Sequence, residues 1–171
     1  MTGAENMALD SAMLRAAQER RASLRLYRWG PPCLSFGRNE PALTRYDRDR
    51  IERLGLDTVR RPTGGRAVWH DAEVTYAIAA PVAAFGSLAE SYAAIHRMIA
   101  AALRRLGVPA QLAPSPVTRH PSPGAGACFS SPAGGEVTVH RRKLVGSAQI
   151  REGNSFLQHG SVLLEDGQDI V

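Results

Sequence analysis

Cysteine is scarce in this chain. Cys33 and Cys128 are the two thiols in 171 residues, far apart and without CxxC spacing. That argues against a disulfide framework and against a zinc site, and no metal-ligating set is identified. Aromatic residues make up 6%, and no recognised nucleic-acid-binding motif accompanies them, so base stacking is a weak reading and a nucleic-acid partner is not expected. No apolar run is long enough to cross a bilayer. The opening "MTGAENMALDSAML" has an early acidic residue and no apolar signal core. The expectation is a cytoplasmic protein without membrane association. Phosphate-loop patterns are missing as well: no G-x-G-x-x-G occurs, and no G-K-[ST] follows the paired glycine at 64–65. Internal repeats are absent.

The length fits one domain, residues 1–171, and 44% hydrophobic with 22% charged residues is a globular composition. Net charge is +5, carried mostly by arginine. Such a surface suits nucleic acid, an anionic cofactor or an acidic carrier protein, and charge alone does not choose among them.

Apolar spacing predicts a helix in "NMALDSAMLRAAQER". Leu24 to Trp29 alternates as a strand, stopped by Gly30-Pro31-Pro32, and "CLSFG" is a second short strand. Tyr46 to Leu54 reads as a charged surface helix ended by Gly55. After "DTVRR" and the glycine turn, "AVWHD" and "EVTYAIAAP" read as a strand pair. Leu88 to Leu106 is a helix with basic residues in its last turn and Gly107 as its stop; His96 is expected at its surface or boundary. Ala113 to Gly126 is a Pro/Ser/Gly-rich loop. "EVTVH" and "KLVGSAQIR" read as a hairpin around Arg141-Arg142, and "SFLQHGSVLLE" as a further strand. Strands and helices intersperse without regular alternation, which indicates an α+β fold.

Three stretches could carry chemistry. In "RRPTGGRAVWHD", Gly64-Gly65 is either a hairpin turn or a place where a ligand lies against bare backbone. In the second case Arg60, Arg61 and Arg66 would hold an anionic or polar headgroup. In "GACFSSPAGGEVTVHRRKLVGSAQ", Cys128 precedes Lys143, which is either a solvated flank or a donor to a carbonyl or thiolate. In "LQHGSVLL", His159 is either structural or marks close backbone approach.

In their order along the chain, "NMALD", "RRPTGGRAVWHD", "KLVGSAQ" and "LQHGSVLL" resemble the biotin/lipoate protein ligase catalytic domain, and within it the lipoate branch. The resemblance covers essentially the whole chain. It implies a mixed or antiparallel sheet flanked by helices, similar to class II synthetases. The branch holds ATP-dependent lipoate–protein ligases and octanoyltransferases. Cys128-Phe129-Ser130-Ser131-Pro132 matches the "CF-x-x-P" setting of a cysteine-dependent transferase group, and Gly-Gly-Arg matches that group's glycine turn.

By this resemblance Gly64 and Gly65 line an acyl tunnel, Arg61, Arg66 and His70 shape its polar mouth, and Lys143 reaches the acyl carbonyl. Cys128 is the nucleophile, with backbone N–H groups near Gly146 and Ser147 beside the oxyanion, and His159 is a further substrate-binding residue. The implied donor is octanoyl acyl carrier protein. The implied acceptors are lipoyl carrier domains, either the glycine cleavage H protein or dehydrogenase E2 subunits. No cofactor is implied; ATP and Mg enter only under a ligase alternative. Movement of the acyl group between carriers, and carrier or lipoate binding without turnover, also stay open. The chain departs from the transferase group at Ala133-Gly134-Gly135, where bulkier residues are usual. It also ends at Val171, where relatives continue with further helices.

Overall fold

The computed structural model describes residues 1–114 and 135–165. Cys128 and its "CFSSP" setting lie outside the described residues. Helix α1 (Gly3–Gln18) starts three residues before the expected Asn6 because Thr2 caps it. The Thr2 hydroxyl accepts from Glu5 N, and the Glu5 carboxylate accepts from Thr2 N at 2.8 Å. Then come β1 (Ser23–Tyr27), β2 (Cys33–Phe36) and the one-turn α2 (Ala42–Arg45). Helix α3 (Arg48–Arg53) is capped by Asp47, and β3 (Asp57–Arg60), β4 (Val68–His70) and β5 (Glu73–Pro81) follow. Helix α4 (Leu88–Arg105) opens with a second capping box, Ser87 with Glu90. The chain continues through β6 (Gln111–Leu112), β7 (Val137–Val139), β8 (Arg142–Lys143), β9 (Val145–Glu152) and β10 (Ser155–Leu163).

The central sheet is antiparallel, in the order β1-β5-β10-β9, and its two faces are distinct. Successive side chains along a strand point to opposite faces. Ala77, Ala79 and Leu157 pack with Met7, Leu14 and Ala17 of α1, while Tyr76, Ala80 and Phe156 pack with Ile95 and Ala100 of α4. A second sheet, β3-β2-β4, joins β2 and β3 in parallel and β2 and β4 antiparallel; a third, β6-β7-β8, borders α4. Among the described residues no helix is long and apolar enough to cross a membrane.

Three expectations are corrected. First, β4 and β5 do not pair with each other: β4 joins β2, and β5 lies between β1 and β10. Asp71 and Ala72 carry the chain from one sheet to the other. Second, the hairpin turns at His140-Arg141, one residue earlier than expected. Arg142 and Lys143 pair with β7, but from Val145 the chain leaves for the central sheet and pairs with β10. Third, His96 is fully buried on the inner side of α4 rather than at its surface. Cys33 lies in the core, its thiol pushed up to about 12 by burial and by neighbouring Asp57.

Candidate active site

The loop between β3 and β4 is held from inside by arginine. The Arg60 guanidinium donates to the carbonyls of Gly37 (2.6 Å) and Glu40 (3.0 Å). Arg61, buried, donates to the carbonyls of Ser35 (3.0 Å), Gly64 (2.9 Å) and Arg66 (2.6 Å). Charge-assisted bonds of this kind are about twice as strong as neutral ones. Gly65 has φ +101°, and a Cβ there would sit 2.7 Å from the Arg61 guanidinium. A side chain would therefore be both strained and obstructed, and the exposed backbone of residues 64 and 65 faces the cavity below.

Two buried carboxylate–histidine–hydroxyl arrays brace the walls. In the first, His159 Nδ1 donates to Asp10 (2.8 Å), and its Nε2 meets the Thr63 hydroxyl at 2.6 Å. Asp10 also accepts from Tyr27 (2.9 Å) and Arg25 (3.2 Å). One carboxylate thus ties α1, β1 and β10 together, with the residue before the glycine pair joined through His159. In the second, His70 Nδ1 donates to Glu73 Oε1 (2.7 Å), and the Ser35 hydroxyl lies 2.6 Å from Nε2. The same Glu73 oxygen accepts from Thr75 (2.6 Å) and Ser161 (2.7 Å). His70 stacks on Trp29 with ring centroids 4.0 Å apart, and the Trp29 N–H donates to Thr75 at 2.7 Å. Burial lowers the pKa of His70, against the opposing pull of Glu73, so the ring stays neutral and accepts from Ser35. The connectivity is that of a nucleophile–base–carboxylate triad. Ser35, however, is fully buried and also accepts from Arg61 at 3.1 Å, so the array acts as a clamp.

On the other face of the sheet, His96 Nδ1 donates to the Gly135 carbonyl (2.9 Å) and its Nε2 accepts from the Ser147 hydroxyl (2.8 Å). Ser147 meets the Tyr76 hydroxyl at 2.7 Å, which is bonded to Gln158. Burial lowers the pKa of His96 and pushes that of Tyr76 up to about 12, so both are neutral near pH 7. Nearby, Lys143 Nζ lies 2.8 Å from Glu136 Oε1, both side chains almost fully buried. Lys143 is the single lysine of the chain, which has 21 basic residues. Every other fixed cation is an arginine, so a compact, flexible ammonium stands only here.

A narrow cavity of about 80 Å³ joins these parts. It follows one row of the central sheet. Gly146, Ser161, Thr75 and Tyr27 are register neighbours on β9, β10, β5 and β1, and all four line it. Three inter-strand steps make the row about 14 Å long. Lys143 stands at the β9 end, and Trp29 and Tyr27 at the β1 end. Gly160, one residue along β10 and on the sheet's other face, is in register with Ser147 and Tyr76, and a Cβ there would come within 2.5 Å of Gly146 O and Ser147 Oγ. Of the expected site residues, Lys143, Arg61, Gly64, Gly65, His70, Gly146, Ser147 and His159 all border this cavity. Arg66 contributes its carbonyl to Arg61 instead, and Cys128 lies outside the described residues. Ser35, Glu73, Thr75 and Ser161 were not anticipated; each is a buried polar residue beside an apolar neighbour on its strand. Among the described residues no cluster of His, Cys, Asp or Glu could hold a metal ion.

Glycine backbone, aromatic rings and small polar side chains line this slot, and Lys143, paired with Glu136, borders it as well. The chain matches the lipoyl protein ligase A/B catalytic domain over residues 2–169, and it belongs to that family. It is 40% identical over 169 residues to octanoyltransferase LipM of Carboxydothermus hydrogenoformans, covering 96% of this chain and 62% of that protein. It is 44% identical over 172 residues to octanoyltransferase LipM of Kyrpidia tusciae, covering 96% and 63%. The chain thus spans just under two thirds of the length of these relatives. Among solved structures, lipoate-protein ligase A bound with ATP superposes with TM-score 0.75 at 22% identity, over 96% of this chain and 63% of that one. The putative lipoate protein ligase Ta0514 of T. acidophilum with bound lipoic acid gives 0.75 at 21% identity, over 96% and 65%. These likenesses show the fold: antiparallel sheets flanked by helices, as the sequence resemblance implied.

Proposed function

We propose that this chain carries the catalytic unit of a cytoplasmic octanoyltransferase, which moves octanoate from acyl carrier protein to a lysine of a lipoyl carrier domain. The observation that carries the reading is that the chain's one lysine lines the same slot as the glycine loop. It does so in a chain 40–44% identical to named octanoyltransferases over 96% of its length.

The proposed chemistry runs in two thioester steps. The Cys128 thiolate attacks the octanoyl carbonyl carbon; a new C–S bond forms, the C–S bond to the carrier's pantetheine breaks, and that thiolate leaves to take up a proton. The acceptor lysine's free amine then attacks the acyl-cysteine. A C–N bond forms, the C–S bond to Cys128 breaks, and the amine's proton passes to solvent. In both steps charge collects on the carbonyl oxygen, where Lys143 and backbone N–H groups near Gly146 and Ser147 are the proposed stabilisers. The acyl tail lies along the slot past Gly64, Gly65 and His159 toward Trp29, with Arg61 and His70 holding its walls and Arg66 beside its mouth. Neither nucleotide nor metal takes part.

The test is octanoyl transfer to an isolated lipoyl domain, followed by the acceptor's mass, without ATP. Transfer under these conditions is the expected outcome, and Lys143→Gln lowers its rate by on the order of 10²- to 10³-fold. Acylation that requires ATP and a free acid would mean a ligase and overturn the reading.

A further inference from the structure

The β7–β8 hairpin closes with Val139 opposite Arg142, leaving His140 and Arg141 as a two-residue loop. Both residues have positive φ, 48° and 66°. Loops of this geometry favour Asn-Gly or Gly-Gly, because two bulky side chains are strained there. Here the loop holds a histidine and an arginine, both exposed, and neither makes a side-chain hydrogen bond or ion pair among the described residues. Residues 137–143 contain no acid, and adjoining Glu136 is engaged by Lys143 at 2.8 Å. Arg141 lies two residues, about 7 Å of extended strand, from Lys143 at the end of the slot. Strained residues kept next to a site point to a task for their side chains.

We propose that the His140-Arg141 tip is the docking contact for the acidic surface of the acyl carrier protein. This rests on the transferase reading above and names where the donor sits. The carrier body rests at the slot's rim, while its flexible arm places the thioester carbonyl beside Lys143. Arg141 supplies the fixed positive charge and His140 a further donor. A charge at the rim acts mainly on association, so its contribution fades as salt rises.

The experiment compares the parent with a His140→Asn/Arg141→Gly variant, using octanoyl acyl carrier protein and octanoyl-coenzyme A as donors. Coenzyme A presents the same pantetheine thioester and phosphates without an acidic protein surface. The variant's preference for the carrier over coenzyme A, as a ratio of kcat/KM, is expected to fall by on the order of tenfold at low salt. Its carrier rate also loses most of its salt dependence. The melting temperature is expected to rise by roughly 2–4 °C, because the turn now suits its residues. An unchanged ratio and salt dependence would overturn the proposal. So would an equal loss with both donors, which would make the turn a support of the slot. No transfer by the parent from either donor would instead bring down the transferase reading, and this proposal with it.

Discussion

Asp10 is fully buried and accepts hydrogen bonds from Tyr27, His159 and Arg25. Removing one partner of such a cluster leaves the others desolvated and unpaired. Asp10→Ala is therefore expected to cost about 3–5 kcal/mol of unfolding free energy in urea titrations; a loss below about 1 kcal/mol would mean that His159 is held by other means. Two of the buried histidines, His70 and His96, give a second prediction. Burial holds both pKa values below the unfolded value of about 6.5. The unfolded chain then binds these protons more readily than the folded one, so their stability contribution is full above that pH and is lost as pH falls through 6.5 toward the folded values. Two such groups give a slope approaching about 2.7 kcal/mol per pH unit. Urea titrations from pH 7.5 to 5 measure it, and His96→Gln is expected to remove about half. An unaltered slope in that variant would show that His96 takes up its proton in the folded state.

At the scale of elements, the central sheet depends on close approach at Gly160. An added methyl would meet Gly146 O and Ser147 Oγ at 2.5 Å and Tyr76 Cε1 at 2.8 Å. Gly160→Ala is therefore expected to force β9 and β5 away from β10 where Ser147, Gly160 and Tyr76 lie side by side, at about 1–3 kcal/mol or more. Thermal unfolding reads the loss, and an unshifted transition would contradict the packing described. The sequence made most elements legible, because helix caps, Gly stops and two-residue alternation are local signals. Pairing is not local. Alternation identified β4 and β5 as strands but carried no information on their partners, so the two were paired across a turn that in fact changes sheets. The same limit joined β8 to β9, although the chain changes partner at Leu144. His96 is a related case: its place on α4 was clear, but Ser147, its partner 51 residues away, was not.

For the molecule as a whole, the central sheet separates two polar systems and leaves a slot along one row between them. The candidate site was legible where motif residues have short-range signatures: the glycine loop, Lys143, Gly146-Ser147 and His159 all border that slot. The supporting shell was not, because Glu73, Thr75 and Ser161 acquire their roles only when β5 and β10 pair. Their alternation with apolar neighbours was the available hint. The central claim is a covalent acyl-enzyme on Cys128, and intact-mass spectrometry after mixing the chain with octanoyl acyl carrier protein, without ATP, tests it most directly. The account predicts a gain of one octanoyl group that hydroxylamine releases and that Cys128→Ala abolishes. A gain that resists hydroxylamine and persists in Cys128→Ala would place the acyl group on an amine, with Lys143 the one side-chain candidate, and would contradict the mechanism. No gain until ATP and a free acid are added would contradict it equally.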